Sequence, residues 1–190
     1  MNKRRCLVIG GSAGSLDVLL KILPLLNPGL NFPIVIVVHR KQGMDSLLTD
    51  LLSHRTTLNV KEADEKEQIL NGTVYIAPSD YHLLIEKDFT FSLDYSEKVN
   101  YSRPAIDVTF QTAAEVYKDG ALCLLLSGSN ADGVNGLIAV NTHEGVSLVQ
   151  DPISAQVTYM PEQAILRAKV SKILKIEEMA AYINSVSPNN

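Results

Sequence analysis

The 190-residue chain has no tryptophan and only two cysteines, Cys6 and Cys123, each inside an apolar, strand-like run. Neither has a CxxC or CxxH partner, so the spacing of a structural zinc site is missing and both read as buried thiols. Excess positive charge is lacking too. Lys and Arg number 17 against 21 Asp and Glu, the net charge is −4 and the pI is about 5.5. That balance excludes the basic footprint of a nucleic-acid binder. No apolar run approaches the roughly 20 residues of a membrane-spanning helix. The basic start Met1-Asn2-Lys3-Arg4-Arg5 is followed only by Cys6 to Ile9 before two glycines, too short for the core of a signal peptide. Internal repeats, low-complexity tracts and linkers are absent as well. What is present is 46% hydrophobic and 20% charged residues, the make-up of one ordinary globular domain spanning residues 1–190. A reduced, cytoplasmic protein is expected.

Three runs are apolar without alternation: Cys6 to Ile9, Ile34 to Val38 and Ala121 to Leu126. Such runs suit strands buried on both faces of a parallel sheet. Helical spacing follows the first at Leu16, Leu19, Leu20 and Leu23, and recurs at positions 44, 47, 48, 51 and 52. Thr73 to Pro78, His82 to Ile85 and Phe89 to Leu93 read as short strands separated by turns at Ser79-Asp80 and Lys87-Asp88, hairpin-like along one edge. A helix is expected from near Pro104 to Tyr117, and others after Gly133, from Pro161 to Ala168 and from Glu177 to Asn184. Strands at Leu58 to Val60, Val146 to Val149 and Val170 to Leu174 complete the pattern. Alternating strands and helices with short connections predict an α/β fold: a three-layer αβα sandwich on a doubly wound, mostly parallel sheet with a short antiparallel edge hairpin.

The junction at the end of the first strand is the most informative stretch. Gly10-Gly11-Ser12-Ala13-Gly14 reads as G-x-S-x-G, a nucleophile-elbow pattern with Ser12 at the apex of a strand–turn–helix. The small residues permit a sharp turn and close approach of a substrate. His39 ends the second buried strand, and Asp132 follows the Ala121–Leu126 strand. Taken singly, each has a plainer explanation: a tight turn, a surface histidine, a turn or helix-capping aspartate. Jointly, they place a nucleophile, an imidazole and a carboxylate at the carboxyl edge of one sheet, where open parallel sheets bind ligands. A serine hydroxyl needs a base to become a nucleophile, an imidazole can take and return its proton, and a carboxylate fixes the tautomer. Amides at the start of the first helix are suited to an oxyanion. His54, His82 and His143 compete less well by position. Dinucleotide binding is disfavoured because the spacing is Gly10-Gly11-x-x-Gly14 and the second strand ends in His39. A P-loop lacks its lysine. The order Ser, His, Asp also departs from that of an ordinary α/β-hydrolase.

With those residues in place, the sequence resembles the catalytic domain of the CheB-type protein-glutamate methylesterases of bacterial chemotaxis, from about Cys6 to Ile183. Ile9-Gly10-Gly11-Ser12-Ala13-Gly14 is similar to the family's nucleophile loop and Val38-His39 to its histidine. Ser102-Arg103-Pro104-Ala105-Ile106-Asp107 resembles a signature segment before a helix. Leu126 to Gly133 resembles the acid loop, and Gln150-Asp151 with Tyr159-Met160-Pro161 the C-terminal motif. The resemblance implies a catalytic triad of Ser12, His39 and Asp132, with Ala13 and Ser129 beside the nucleophile as pocket or oxyanion residues. Ala13 stands where the family usually has threonine and Ser129 where it usually has methionine. The implied reaction is hydrolysis of glutamate methyl esters on the cytoplasmic helices of a methylated chemoreceptor or receptor-like signalling protein, with release of methanol. It implies no metal and no organic cofactor. Some family members also deamidate receptor glutamine, and a non-catalytic signalling module with the same fold is the alternative from another class. The phosphoacceptor receiver domain of the best-known members is not expected here, since Ser12 lies so near Met1. A separate receiver or kinase protein would then be the regulator.

Overall fold

The computed structural model describes residues 4–40 and 45–187. In chain order the first elements are strand β1 (Cys6–Gly11), helix α1 (Ser15–Ile22), strand β2 (Ile34–Val38), helix α2 (Asp45–Ser53), and strands β3 (Asn59–Glu62), β4 (Thr73–Ile76), β5 (His82–Ile85) and β6 (Phe91–Asp94). Helix α3 (Ile106–Tyr117), β7 (Ala121–Leu125), α4 (Val134–Thr142), β8 (Val146–Gln150), α5 (Tyr159–Arg167), β9 (Lys172–Leu174) and α6 (Ile176–Val186) follow.

Seven strands form one sheet in the order β3-β4-β2-β1-β7-β8-β9, every pair parallel. The chain enters at β1, winds outward through β2 to the β3 edge, then returns to β7 and proceeds to the other edge. The winding therefore reverses beside β1, and the crevice at such a reversal is where doubly wound folds open to ligands. Alternate residues of each central strand face opposite layers. Val8, Val35, Val37, Cys123 and Leu125 pack with Ile106, Phe110, Val134 and Leu137 of α3 and α4. Leu7, Ile9, Ile34, Ile36 and Leu124 pack with Val18, Leu19, Ile22, Met179 and Ile183 of α1 and α6. Both faces are covered by helices, which is why these strands carry no polar alternation. The expected three-layer architecture is the observed one.

Local differences have physical reasons. Of the three strands read between 73 and 93, β4 is buried along its whole length and pairs in parallel between β2 and β3. Only β5 and β6 make the antiparallel hairpin, a two-stranded sheet of its own. It is fastened to α3 where Thr109 Oγ1 donates to the Leu83 carbonyl and Thr112 Oγ1 accepts from the Ile85 N–H. Phe89 falls in the turn rather than the strand, at φ 62°. Helix α3 starts at Ile106, with Ala105 at its N-cap, so Pro104 precedes the helix instead of opening it. The helix read over 44–52 is α2, Asp45–Ser53; Met44 lies outside the described residues. Cys6 and Cys123 are free and buried, and burial pushes both thiols up, the state of inert structural cysteines. Among the described residues, no helix is long and apolar enough to cross a membrane.

Candidate active site

Ser12 leaves the end of β1 with both of its backbone groups committed. Its N–H donates to the Ser127 carbonyl at 2.9 Å, and its carbonyl accepts from the Ser15 N–H at 3.1 Å and from Ser15 Oγ at 2.6 Å. Only the hydroxyl is left to do chemistry. The turn closes through Gly14, whose φ of 84° a side chain would resist. A Cβ there would also lie 2.6 Å from Gln156 Cβ. Helix α1 begins directly afterwards.

The loop beyond β7 runs alongside this turn. A Cβ on Gly128 would lie 3.1 Å from Ser12 Cβ, so the backbone passes as close to the serine as glycine allows. Buried Ser127 stitches three segments together: its Oγ is 2.7 Å from the Ala13 carbonyl oxygen and accepts the Val157 N–H at 2.9 Å. Its own N–H donates to Gln150 Oε1, and Gln150 Nε2 donates to the Ser154 carbonyl. The glutamine of the C-terminal motif is thus a structural brace for the serine turn. Ala13 and Ser129 are both exposed, Ala13 directly after Ser12 and Ser129 directly after Gly128. Among the described residues, neither backbone N–H is engaged in a hydrogen bond, the condition an oxyanion donor must meet.

His39 follows β2, its N–H held by the Gly11 carbonyl at 3.2 Å. Its Nε2 lies 2.7 Å from Asp132 Oδ2, and its side chain is 13% exposed while that of Asp132 is fully buried. Ser12 and His39 line one small cavity of about 170 Å³, whose remaining wall is largely leucine: Leu16, Leu19, Leu48 and Leu51. No hydrogen bond joins the Ser12 hydroxyl to the imidazole among the described residues. A loose nucleophile–base contact is common in unliganded sites and tightens with substrate. On its other side His39 borders a wider cleft of about 590 Å³, with Tyr95, Tyr101, Lys98 and Arg103 on its walls.

Asp132 is held as firmly as a carboxylate can be. Besides His39, it accepts from the Ile106 N–H at 2.7 Å, the Asp107 N–H at 3.0 Å and Asn100 Nδ2 at 2.9 Å. Two of these donors are the first amides of α3, where the helix dipole also favours a negative charge. Burial on its own would raise this carboxyl; the bonds from His39 and from the two amides outweigh it and hold Asp132 below the ordinary range. Asp107 makes the reciprocal arrangement. It sits in the first turn of α3 and accepts the Gly136 N–H of α4 at 2.7 Å. Each helix therefore offers its amide end to the other's carboxylate. Burial dominates at Asp107 and, with the Asp132 charge adding to it, pushes this carboxyl up.

The structure brings His39 onto Asp132 and places Ser12 and His39 on one cavity, with Ala13 and Ser129 in the loops that follow Ser12 and Gly128. The sequence pattern missed Asn100 and His82. His82, the first residue of β5, is buried: its Nδ1 accepts the Ala105 N–H at the start of α3, and its Nε2 lies 2.9 Å from the Glu97 carbonyl oxygen. Arg103 also gains an explanation. It donates to Asp80 from Nε and Nη2, donates to the carbonyls of Tyr95 and Ser96 from Nη1, and stacks 3.8 Å over the Tyr95 ring. Its role is to fasten the 95–103 loop, since its donors are spent inside the protein.

A serine beside a histidine–carboxylate pair, at the winding reversal of a doubly wound sheet, is the arrangement of an α/β serine hydrolase. The chain belongs to the CheB methylesterase family, whose profile matches residues 7–183. It is 44% identical over 184 residues to a putative protein-glutamate methylesterase/protein-glutamine glutaminase of Leptospira interrogans, covering 97% of this chain and 95% of that protein. Against the protein-glutamate methylesterase/protein-glutamine glutaminase of Thermotoga maritima, identity is 37% over 164 residues, covering 85% of this chain and 48% of that protein. The chain therefore spans about half the length of the Thermotoga relative. The crystal structure of the Thermotoga maritima CheB methylesterase catalytic domain superposes with a TM-score of 0.93 at 33% identity, covering 96% of this chain and 98% of that one.

Proposed function

We propose that the protein is a serine esterase that hydrolyses glutamate methyl esters on a methylated chemoreceptor or receptor-like signalling protein, through Ser12, His39 and Asp132. The observation that carries this reading is the 2.7 Å His39–Asp132 pair opening into the same small cavity as Ser12. The names of its relatives supply the substrate class. With Nε2 engaged by Asp132, Nδ1 is the ring nitrogen left to serve the serine. Ser12 Oγ attacks the ester carbonyl as its proton passes to Nδ1. The tetrahedral intermediate collapses, methoxide takes that proton and departs as methanol, and a glutamyl ester on Ser12 remains. Water then attacks the acyl carbon, giving its proton to Nδ1; the imidazolium passes that proton to Ser12 Oγ as the acyl–oxygen bond breaks, which restores the serine and frees the receptor with an unesterified glutamate side chain. Asp132 stays ionised, fixing the ring and stabilising the imidazolium. Amides of Ala13 and Ser129 are the groups this reading assigns to the oxyanion, each donor of that kind contributing about 10²–10³-fold. The leucine-walled cavity suits the methylene stem and methoxy group of the ester.

The same acyl-enzyme would form from a receptor glutamine with ammonia as leaving group, and the relatives' second name favours testing it. Methanol release from a methylated receptor fragment, wild type against Ser12→Ala, is the deciding experiment. Loss on the order of 10⁶ in kcat is expected for Ser12→Ala. Equal release by both proteins would overturn the assignment of Ser12. Ammonia release from a glutamine-containing fragment tests the deamidase activity, and a fluorophosphonate that leaves Ser12 unlabelled in folded protein would favour a non-catalytic module.

A further inference from the structure

Asn100 makes a contact that the triad alone does not require. Its single Nδ2 donates to Asp107 Oδ2 at 2.8 Å and to Asp132 Oδ1 at 2.9 Å, so one neutral amide bridges two buried carboxylates. Its backbone is left-handed, φ 52°, a conformation that asparagine and aspartate adopt far more readily than other side chains. The residue reaches inward from the 95–103 loop, and the next residue, Tyr101, is 98% exposed on the cleft beside His39.

We propose that Asn100 is a positioning residue of the catalytic site: it occupies Asp132 Oδ1, and so fixes the carboxylate with Oδ2 facing His39, while its amide hydrogens separate the charges of Asp132 and Asp107. This rests on the triad reading above. Apart from His39 itself, the remaining donors to Asp132 are backbone amides of α3 and cannot be exchanged by mutation, which leaves Asn100 as the adjustable one outside the triad. An amide dipole with its positive end on two carboxylates makes the local potential less negative. Removing it favours the protonated form of every group nearby, and replacing it with a third carboxylate does so more strongly. The titratable groups in contact at this cluster are Asp107, Asp132 and His39, and Arg40, Lys98, Arg103 and Asp80 line the cleft that His39 borders. None of these changes in the test.

The test compares the full chain with Asn100→Asp and Asn100→Ala in methanol release as a function of pH, with thermal melting of each. Aspartate keeps the shape and tolerates the left-handed backbone, so it exchanges the amide donor for a further carboxylate in place, while alanine removes the donor without adding charge. Expected for Asn100→Asp is a fall in kcat on the order of 10²-fold, the scale of a mispositioned catalytic group, with little change in KM. The acidic limb of kcat/KM moves up by about one pH unit, and by less in Asn100→Ala. A loss of melting temperature without any movement of that limb, or wild-type kinetics in both variants, would overturn the proposal. If wild-type protein releases no methanol, the esterase reading has failed, and Asn100 is still decided by nuclear magnetic resonance of the free protein. The titration midpoint of the Asp132 carboxyl, held low in the wild type, must then be higher in Asn100→Asp, and an unmoved midpoint refutes the bridge. Asn100→Ala supplies the same two readouts should the aspartate variant fold poorly.

Discussion

Asp132 receives a hydrogen bond in every direction its two oxygens offer, and none of the four donors is water. A buried carboxylate can remain charged only under such conditions. Changing it to asparagine keeps the volume but turns one oxygen into a donor, which must then face either His39 and the Ile106 N–H or Asn100 Nδ2 and the Asp107 N–H. Whichever way the amide turns, one buried N–H meets another. On the proposed mechanism, Asp132→Asn lowers kcat on the order of 10⁴-fold, the loss that follows when a triad carboxylate becomes an amide and the histidine is held in the wrong tautomer. KM for a methylated receptor fragment is expected to stay close to wild type, and steady-state methanol release measures both. A variant within about tenfold of wild-type kcat would mean that Asp132 only holds the helices together.

The scale of elements is where the sequence was readable and where it stopped being so. Ser12, His39 and Asp132 stand at the ends of apolar runs that are buried on both sides, and a parallel sheet delivers all such ends to one edge. That inference needs only hydrophobic pattern and handedness. Asn100, His82 and Gln150 are different: each works through a contact set by how a loop is laid across a helix start or against another loop. A polar stretch such as 94–102 looks the same whether it is solvated or folded inward. The one signal was proximity to the Ser102–Asp107 motif, and it carried no geometry. Gly128 tests the closeness of the loops directly. A methyl there would meet Met160 Cε at 2.5 Å and Sδ at 2.7 Å, and Ser12 Cβ at 3.1 Å. The end of a methionine can move, but Ser12 is pinned through both backbone groups. Gly128→Ala is therefore expected to reduce kcat about tenfold or more while costing only about 1–2 kcal/mol in stability. Urea unfolding and methanol release on the same preparation separate the two effects.

At the scale of the whole molecule, the two helix ends that exchange carboxylates make stability depend on pH in opposing ways. Asp132 has a folded pKa below its ordinary 3.8. Its stabilising contribution is complete above that value and disappears as pH falls through the lowered one. Asp107 is raised above 3.8, so its ionisation opposes folding once pH rises past the unfolded value, and acid relieves that cost. The two sit side by side on α3 and the loop before α4, which makes the acid region the place where they can be told apart. Asp107→Asn removes the unfavourable ionisation together with a neighbouring charge. Relative to wild type it is expected to lose least, or to gain, near neutral pH, and to fall behind as acid protonates the wild-type residue and removes its penalty. Asp132→Asn should instead be most destabilised at neutral pH, with the deficit shrinking below about pH 4 as the wild-type carboxylate itself becomes protonated. Urea midpoints for the three proteins between about pH 3 and 7 decide the matter. Parallel curves for Asp132→Asn and wild type across that range would show that the charge on Asp132 contributes nothing to the folded state.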